Sequence, residues 1–325
     1  MWQYIVRRLL YAIPILLGIN FITFLLFFVV STPDDMARVQ LGDKHISKEA
    51  VKQWKEDKGY NLPLFLNNDR KGISKITDTI FFQKSLPLLS FNFGKSDSGR
   101  DISYDISQRM WPSLAIAIPT FIFALITNIF FAMLIVFYRN TKVESIGLIV
   151  AVVLMSISGL FYIILGQLIF SGIWHYFPVS GYQEGLQSWR FIFLPVLIGV
   201  IAGIGGGVRW YSSIFLEEIN KDYVRTARAK GLSDNTVLFK HVLKNAMIPI
   251  LTGVVVILPT LFMGSLVMES FFAIPGLGSY TIDAILSQDF AIVRTMIFLG
   301  SVLYIIGLLL TDISYTLVDP RVILS

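Results

Sequence analysis

Six long apolar runs divide the chain, and each is close to the ~20 residues that an α-helix needs to cross a lipid bilayer. They cover residues 9–30, 113–137, 145–170, 191–208, 246–268 and 295–313. The only charged side chain inside them is Asp312, at the edge of the last run. A bilayer offers no water to unpaired backbone groups, so the runs predict an all-α integral membrane protein with six transmembrane helices.

The composition supports this class independently. Hydrophobic residues make up 54% of the 325 residues, and the mean hydropathy is +0.67. A soluble chain of this length usually contains about 45–50% apolar residues. The net charge of +5 is what loops biased towards Lys and Arg produce, and it gives no reason to expect a nucleic-acid partner.

Lysine and arginine near the ends of the runs predict the orientation, because short loops rich in these residues stay in the cytoplasm. Arg7 and Arg8 precede the first run, Arg139 and Lys142 separate the second from the third, and Arg321 follows the last. We therefore expect both termini to be cytoplasmic. The expected divisions are an N-terminal transmembrane helix (1–30), an extracytoplasmic insert (31–112) and a core of five transmembrane helices (113–325).

Two short helices are expected within the insert. Ser47 carries a helix-capping signature at the start of 46–54, and residues 73–82 have helical spacing. The first apolar run has no small-x-small cleavage site before Pro33, so we interpret it as a retained helix rather than a cleaved signal peptide.

A polar island at residues 210–245 separates the fourth and fifth runs. Lys221, Arg225 and Arg228 follow helical spacing and form a basic face, whereas Ala227 and Gly231 belong to another face that is nearly bare backbone. Gly231 suits the position after a helix end, and Ser233 or Asp234 can cap a second helix. The pattern predicts a helix-turn-helix elbow exposed between two spans.

The island resembles the cytoplasmic coupling loop of permease subunits in ABC importers, in the form found in the oligopeptide, dipeptide and nickel branch. The last part of the island departs from the general motif of these loops. It has His241–Lys244 where the motif has an apolar ending, and a proline follows only at Pro249. An ordinary basic loop that obeys the positive-inside rule is the alternative. The resemblance implies that an ATPase subunit contacts Tyr223, Arg225, Ala227, Arg228, Ala229, Lys230, Gly231 and Leu232.

A second stretch, residues 268–280, reads MESFFAIPGLGSY and resembles the loop that follows the fifth span in the same branch. Pro275-Gly276 and Gly278 permit tight turns before a helix at 279–286, so the loop can fold back as a cover. A plain hairpin between two spans is the alternative. The resemblance implies an extracytoplasmic loop or gate, with candidate residues Glu269, Pro275, Gly276, Gly278 and Asp289.

Other motifs fail on inspection. Gly94-Lys95-Ser96 has the end of a phosphate-binding loop without its earlier glycine, and the glycines of 203–207 lie inside an apolar run, where close helix packing explains them better. The three histidines are far apart, so we expect no metal or cofactor. Proton-coupled transporters usually carry ionisable groups at membrane depth, which these runs lack, although Na⁺ coupling stays open.

Together the resemblances identify the chain as similar to the B-type permease subunit of a peptide or nickel importer in the bacterial inner membrane. They imply that this chain is not an enzyme and that ATP and Mg²⁺ bind to partner subunits. The implied partners are a homologous second permease, two ABC ATPase subunits, an extracytoplasmic substrate-binding protein and the lipid membrane. An ion-coupled secondary transporter or channel is the alternative function.

Overall fold

The computed structural model describes residues 2–42 and 46–318 of the chain. All regular elements in these residues are helical, and the only extended pairing among them is an isolated bridge between Lys95 and Asp101. The all-α prediction is therefore confirmed. The chain forms two compact units, one comprising residues up to Arg109 together with Tyr280–Leu309 and the other centred on Met110–Ser279.

The first unit begins with α1 (Trp2–Leu25), which ends in a wider helical turn (Leu26–Val30). The insert adds four short helices: α2 (Pro33–Leu41), α3 (Lys48–Lys58), α4 (Ser74–Thr77) and α5 (Leu86–Leu89). Ser47 caps α3 as predicted, by accepting a hydrogen bond from the backbone N–H of Ala50. The second predicted helix is only partly formed, because α4 ends at Thr77 and helical structure resumes at Phe81–Ser85.

The insert packs against the end of α1 through an aromatic core. Phe24 and Phe28 of the first helix contact a cluster that includes Trp54, Tyr60 and Ile80 from the insert. Phe28 and Tyr60 meet edge to face, with ring centroids 5.3 Å apart. The insert is thus a folded segment that shares a buried core with the end of α1.

The helix α6 (Ile102–Phe137) follows the insert, and its first residues belong to the first unit. The second unit continues with α7 (Lys142–Ser156), α8 (Gly159–Gly166, extended by Gln167–Ile173), α9 (Trp189–Ile219) and α10 (Asp222–Ala229). A single helical turn at Gly185–Gln187 precedes α9.

A long helical stretch, Asp234–Phe271, follows α10. It contains α11 (Asp234–Thr236), a wider turn (Val237–Val242), α12 (Leu243–Ile257), a tighter turn (Leu258–Met263) and α13 (Leu266–Phe271). The last elements are α14 (Leu277–Leu286), which the sequence predicts at 279–286, and α15 (Phe290–Val318).

Five helices in the described residues are long and apolar enough to cross a membrane. The predicted third span is not a straight helix, because α7 and the segment Gly159–Ile173 meet at 85°. Ile157 and Ser158 are extended at the break, and the following Gly159 has a poor helix propensity. The structure thus contains five such helices, or six if the bent pair counts as one span, and the predicted number of six stays unconfirmed.

Glycines in α9 permit close helix packing, as the sequence indicates. A Cβ at Gly205 would lie 2.5 Å from the backbone nitrogen of Met155 in α7, and one at Gly207 would collide with Asn128 of α6. The glycine run is therefore a packing feature and not a nucleotide-binding loop.

Candidate functional site

The elbow between α9 and α11 is built around the short helix α10. Gly231 follows its C-terminal end with φ +77°, the left-handed conformation that glycine adopts without strain. Ser233 then caps α11, and its hydroxyl accepts a hydrogen bond from the backbone N–H of Thr236. The predicted helix-turn-helix geometry is confirmed, with Ser233 rather than Asp234 as the cap.

One side of α10 is buried in the chain's own core. Val224 and Ala227 pack in a cluster with Phe215 and Ile219 of α9, and with residues of α6 and of the helix after the elbow. Only 6% of Ala227 is exposed. The expectation that Ala227 presents bare backbone to a partner is therefore wrong, because a small side chain is needed here for packing inside the chain.

A buried carboxylate at the end of α9 fixes the start of the elbow. Glu218 accepts a hydrogen bond from the Tyr223 hydroxyl at 2.8 Å, and it forms an ion pair with the ammonium of Lys221 at 2.6 Å. Burial raises the pKa of Tyr223 to about 12, so this hydroxyl keeps its proton and donates to Glu218 at neutral pH. α10 is thus attached to α9 by polar contacts as well as by its apolar face.

The basic side of α10 faces outward. Arg225 pairs with Asp222 at 3.4 Å, and Arg228 pairs with Asp234 across the elbow at 3.2 Å. Ala229, Lys230, Gly231 and Leu232 are also exposed. Exposed ion pairs of this kind contribute little to stability, about 0–1 kcal/mol, so the charges remain accessible for recognition.

A residue that the sequence analysis did not single out also lies exposed in this region. Phe239, in the first turns after the elbow, is 61% exposed, whereas its neighbours Val237 and Leu238 are buried. Phe239 interrupts an otherwise buried apolar stretch. Its position relative to the helical period is a signal from which the sequence could have identified it as exposed.

A second cluster surrounds Glu269 in α13, of which only 1% is exposed. Its Oε1 accepts a hydrogen bond from the backbone N–H of Ser265 and its Oε2 accepts one from that of Ser279, both at 3.1 Å. The hydroxyl of Ser113 also lies at this carboxylate and accepts a hydrogen bond from the N–H of Leu277 at 2.8 Å. One carboxylate therefore holds both ends of the predicted fold-back loop.

The glycines of this loop are required by the same carboxylate. A Cβ at Gly276 or at Gly264 would collide with the carboxyl group of Glu269. A Cβ at Gly278 would lie 2.6 Å from the backbone carbonyl carbon of Ser265. Pro275 is exposed at the turn. The loop is thus a packed fold-back structure rather than a plain hairpin.

Asp289 belongs to the other compact unit and does not join this cluster. Its Oδ1 accepts a hydrogen bond from the N–H of Ile292 at the start of α15, and its Oδ2 accepts one from the N–H of Asp97 at 2.8 Å. Burial raises the pKa of the Asp289 carboxyl above its ordinary value. This residue caps a helix and anchors the insert.

The structure also corrects the view that the spans exclude ionisable groups. Glu269 and Arg294 lie outside the predicted runs, but the observed helices Asp234–Phe271 and Phe290–Ile313 include them, and both side chains are buried. Within the described residues, no three His, Cys, Asp or Glu side chains are grouped as a metal ion would require.

A cavity of about 420 Å³ lies beside the Glu269 cluster in the second unit. Its walls are mainly apolar, and its lining residues include Thr120 and Thr260. Both carboxylate oxygens of Glu269, which also lines this cavity, accept hydrogen bonds from backbone N–H groups.

The chain resembles permease proteins along almost its whole length. It is 30% identical to an oligopeptide transport system permease protein, AppB, of Bacillus subtilis, with 99% of each chain covered. It is 32% identical to a putative peptide transport system permease protein of Brucella abortus, with 98% of each covered. It is 30% identical to a glutathione transport system permease protein, GsiC, of Salmonella typhi, with 99% of each covered.

Two family profiles match. Residues 1–94 match the N-terminal region of membrane components of binding-protein-dependent transport systems. Residues 128–324, which contain the elbow and the Glu269 loop, match the inner membrane component itself. The chain is a multi-pass membrane protein and belongs to the family of inner membrane components of binding-protein-dependent transport systems.

Proposed function

We propose that this chain is a permease subunit of an ATP-driven importer that moves peptides or related small solutes across the bacterial inner membrane. The elbow carries this proposal, because it presents an exposed basic surface on a short helix that is firmly attached to the apolar core. The names of its relatives, which are oligopeptide, peptide and glutathione transport system permeases, support the substrate class.

The elbow is suited to transmit force. Val224 and Ala227 connect α10 to the core, and the Glu218 contacts connect it to α9. A partner that pushes on α10 therefore displaces packed helices rather than a loose loop. Arg225, Arg228, Ala229, Lys230, Gly231 and Leu232 form the docking surface in this proposal, and Tyr223 and Ala227 hold it in place. Phe239 adds an exposed aromatic group of the kind that anchors interfaces.

The chain does not hydrolyse ATP in this proposal. Two ABC ATPase subunits bind ATP and Mg²⁺, and their closure shifts the permease between inward- and outward-facing states. A homologous second permease completes the translocation path, and an extracytoplasmic binding protein delivers the solute. Counting the bent pair α7 and α8 as one span gives six spans, an even number, so both termini lie on the same side, which is the cytoplasm in this proposal. The insert 31–112 and the Glu269 loop then face the opposite side.

The hydrogen bonding of Glu269 favours ATP-driven transport over ion coupling. A proton relay needs a carboxylate that exchanges protons during the cycle. Both oxygens of Glu269 instead accept backbone hydrogen bonds that hold the loop together. Glu269, Pro275, Gly276 and Gly278 thus serve as a loop anchor in this proposal, and Asp289 serves as a separate anchor for the insert.

Transport in inverted membrane vesicles tests the proposal. Vesicles from cells that express the complete transport system are loaded with labelled peptides, and ATP is supplied outside, where the cytoplasmic face is exposed. The lumen of an inverted vesicle corresponds to the extracytoplasmic side, so import by the complete system carries peptide out of the lumen. We expect the retained peptide to fall only when ATP, the ATPase subunits and binding protein inside the vesicles are all present. In right-side-out vesicles, uptake should need ATP inside the vesicles and binding protein outside. Uptake by the permease alone that an uncoupler abolishes would contradict the proposal and favour ion coupling.

A further inference from the structure

The first unit contains a polar cavity of about 440 Å³ between the insert and the start of α15. Four cationic and two acidic side chains line it: Lys58, Lys84, Lys95, Arg294, Asp57 and Asp97. The excess of positive charge inside one unit calls for an explanation, because the unit is otherwise held together by an aromatic core.

Neither acidic residue forms an ion pair with Lys84 or Arg294, the two innermost cations, although the charge of Asp97 acts favourably on both. Asp97 is occupied by Lys58, whose ammonium lies 3.0 Å from its Oδ1, and by the amide of Gln40, which donates to its Oδ2 at 2.8 Å. Asp57 is exposed. Neither carboxylate lies within ion-pair distance of Lys84 or Arg294 in the described part of the chain.

Arg294 is the deepest of the four cations, with 5% of the residue exposed. Its guanidinium lies 5.3 Å from the centroid of the Phe28 ring, and its Nε has no hydrogen-bond partner among the described residues. A buried charge without an ion-pair partner is costly, and arginine in such a place usually pairs with a carboxylate or a phosphate through two parallel hydrogen bonds.

Lys84 supplies a second unpaired cation to the same cavity. Its ammonium lies over the Tyr60 ring, 5.5 Å from the centroid. Burial, followed by the positive charge of Arg294, lowers the pKa of Lys84 below its ordinary value. An anion between the two cations would remove that repulsion.

We propose that this cavity binds a single oxyanion group, a phosphate or a carboxylate, with Arg294 and Lys84 as its ligands. Phe28 lies at the end of the first apolar helix and Arg294 lies in the first turns of the last one, so the site is close to the level where phospholipid headgroups meet water. The oxyanion comes either from a lipid headgroup or from solution. This site does not depend on the proposed transport function.

The test uses the full-length chain, delipidated in a neutral detergent. Inorganic phosphate is titrated at constant ionic strength against chloride, and the melting temperature is recorded. We expect a saturable rise for the wild type and an apparent affinity about tenfold weaker for Arg294→Gln, since a charge-assisted hydrogen bond is lost. Lys84→Gln should weaken binding similarly. Lys95→Gln removes an exposed charge from the same cavity and should bind as the wild type does.

The stability without phosphate distinguishes a binding site from a structural role. Arg294→Gln should melt no lower than the wild type in chloride, because an unpaired buried charge has been removed. Native mass spectrometry of the chain before delipidation identifies the source of the oxyanion. If the wild type retains phosphatidylglycerol and Arg294→Gln loses it, the oxyanion is a lipid headgroup. If the wild type responds to phosphate but retains no lipid, the oxyanion comes from solution.

The proposal is overturned if the wild type neither retains phospholipid nor responds to phosphate more than to chloride. It is also overturned if Arg294→Gln, Arg294→Lys and Lys84→Gln all bind phosphate as tightly as the wild type. If Arg294→Gln does not fold, Lys84→Gln and Arg294→Lys decide the question, with loss of the phosphate response in either supporting the site.

Discussion

The backbone N–H of Ser279 donates a hydrogen bond to the carboxylate of Glu269 over 3.1 Å, and this contact joins the first turn of α14 to α13. Glu269 is almost wholly buried, and its other oxygen accepts from Ser265. A charged acceptor with several backbone donors is a strong local organiser. Glu269 is therefore the central anchor of the fold-back loop between α13 and α14, beside the hydroxyl groups of Ser113 and Ser279.

Replacing that side chain should destabilise the protein. Glu269→Gln keeps the shape but turns an amide N–H₂ towards a backbone donor, which should cost about 1–3 kcal/mol. The matched control is Glu184→Gln, an exposed position that should change stability by less than about 0.5 kcal/mol. Thermal unfolding in detergent measures both. Equal melting temperatures for the two variants would mean that the carboxylate does not organise the loop.

The glycines of the loop provide a second test. Gly276→Ala places a Cβ against the Glu269 carboxyl group and should destabilise the protein by about 1–3 kcal/mol, as overpacking does. Gly203→Ala in α9 meets no atom within 4 Å and should be neutral or slightly stabilising, since alanine favours helix. Melting curves of the two variants decide the matter, and a Gly276→Ala protein as stable as Gly203→Ala would count against the packing described for this loop.

Two alanines of α10 should separate packing from docking. Ala227→Leu overfills the core beneath the helix and should cost about 1–3 kcal/mol of stability. Ala229→Leu lies on the exposed side and should leave the stability unchanged while weakening co-purification with the ATPase subunits. If Ala227→Leu melted like the wild type, the buried face assigned to α10 would be incorrect.

The stability should depend on pH through Lys84. Its pKa is lowered in the folded protein by burial and by the charge of Arg294, so the unfolded chain binds more protons than the folded one in the range below pH 10.5. Stability attributable to this group therefore rises with pH up to that value. Lys84→Gln should lose this rise, whereas the exposed control Lys75→Gln should keep it. Melting temperatures between pH 7 and pH 10 test this, and identical profiles for all three proteins would refute it.

The long apolar runs predicted the positions of the long helices, because a bilayer-spanning helix needs little more than such a run. They could not predict the 85° break near Ser158, since serine and glycine are common inside spans and lower the hydropathy little. Likewise, the fifth run ended just before Glu269 and the sixth run began just after Arg294, because a run of apolar residues ends at the first charged residue.

The candidate site was predictable in part. The spacing around Gly231 and Ser233 predicted the turn and the cap, because both follow local backbone rules. The burial of Ala227 was not predictable, since it depends on α6 and α9, which are distant in sequence. Asp289 was grouped with Glu269 from its place after the loop, but its contacts lie with Asp97 in the other unit.

Site-specific cross-linking tests the central claim, which is that the exposed side of α10 contacts an ATPase subunit. The chain has no cysteine, so Ala229→Cys introduces a single thiol there, and Lys52→Cys places the control thiol on the exposed surface of α3 in the insert. With a thiol-reactive photo-cross-linker and the assembled transport system in membranes, we expect an ATPase adduct from Ala229→Cys and none from Lys52→Cys. An assembled, active system that gives no ATPase adduct from Ala229→Cys, or equal adducts from both positions, would contradict the claim.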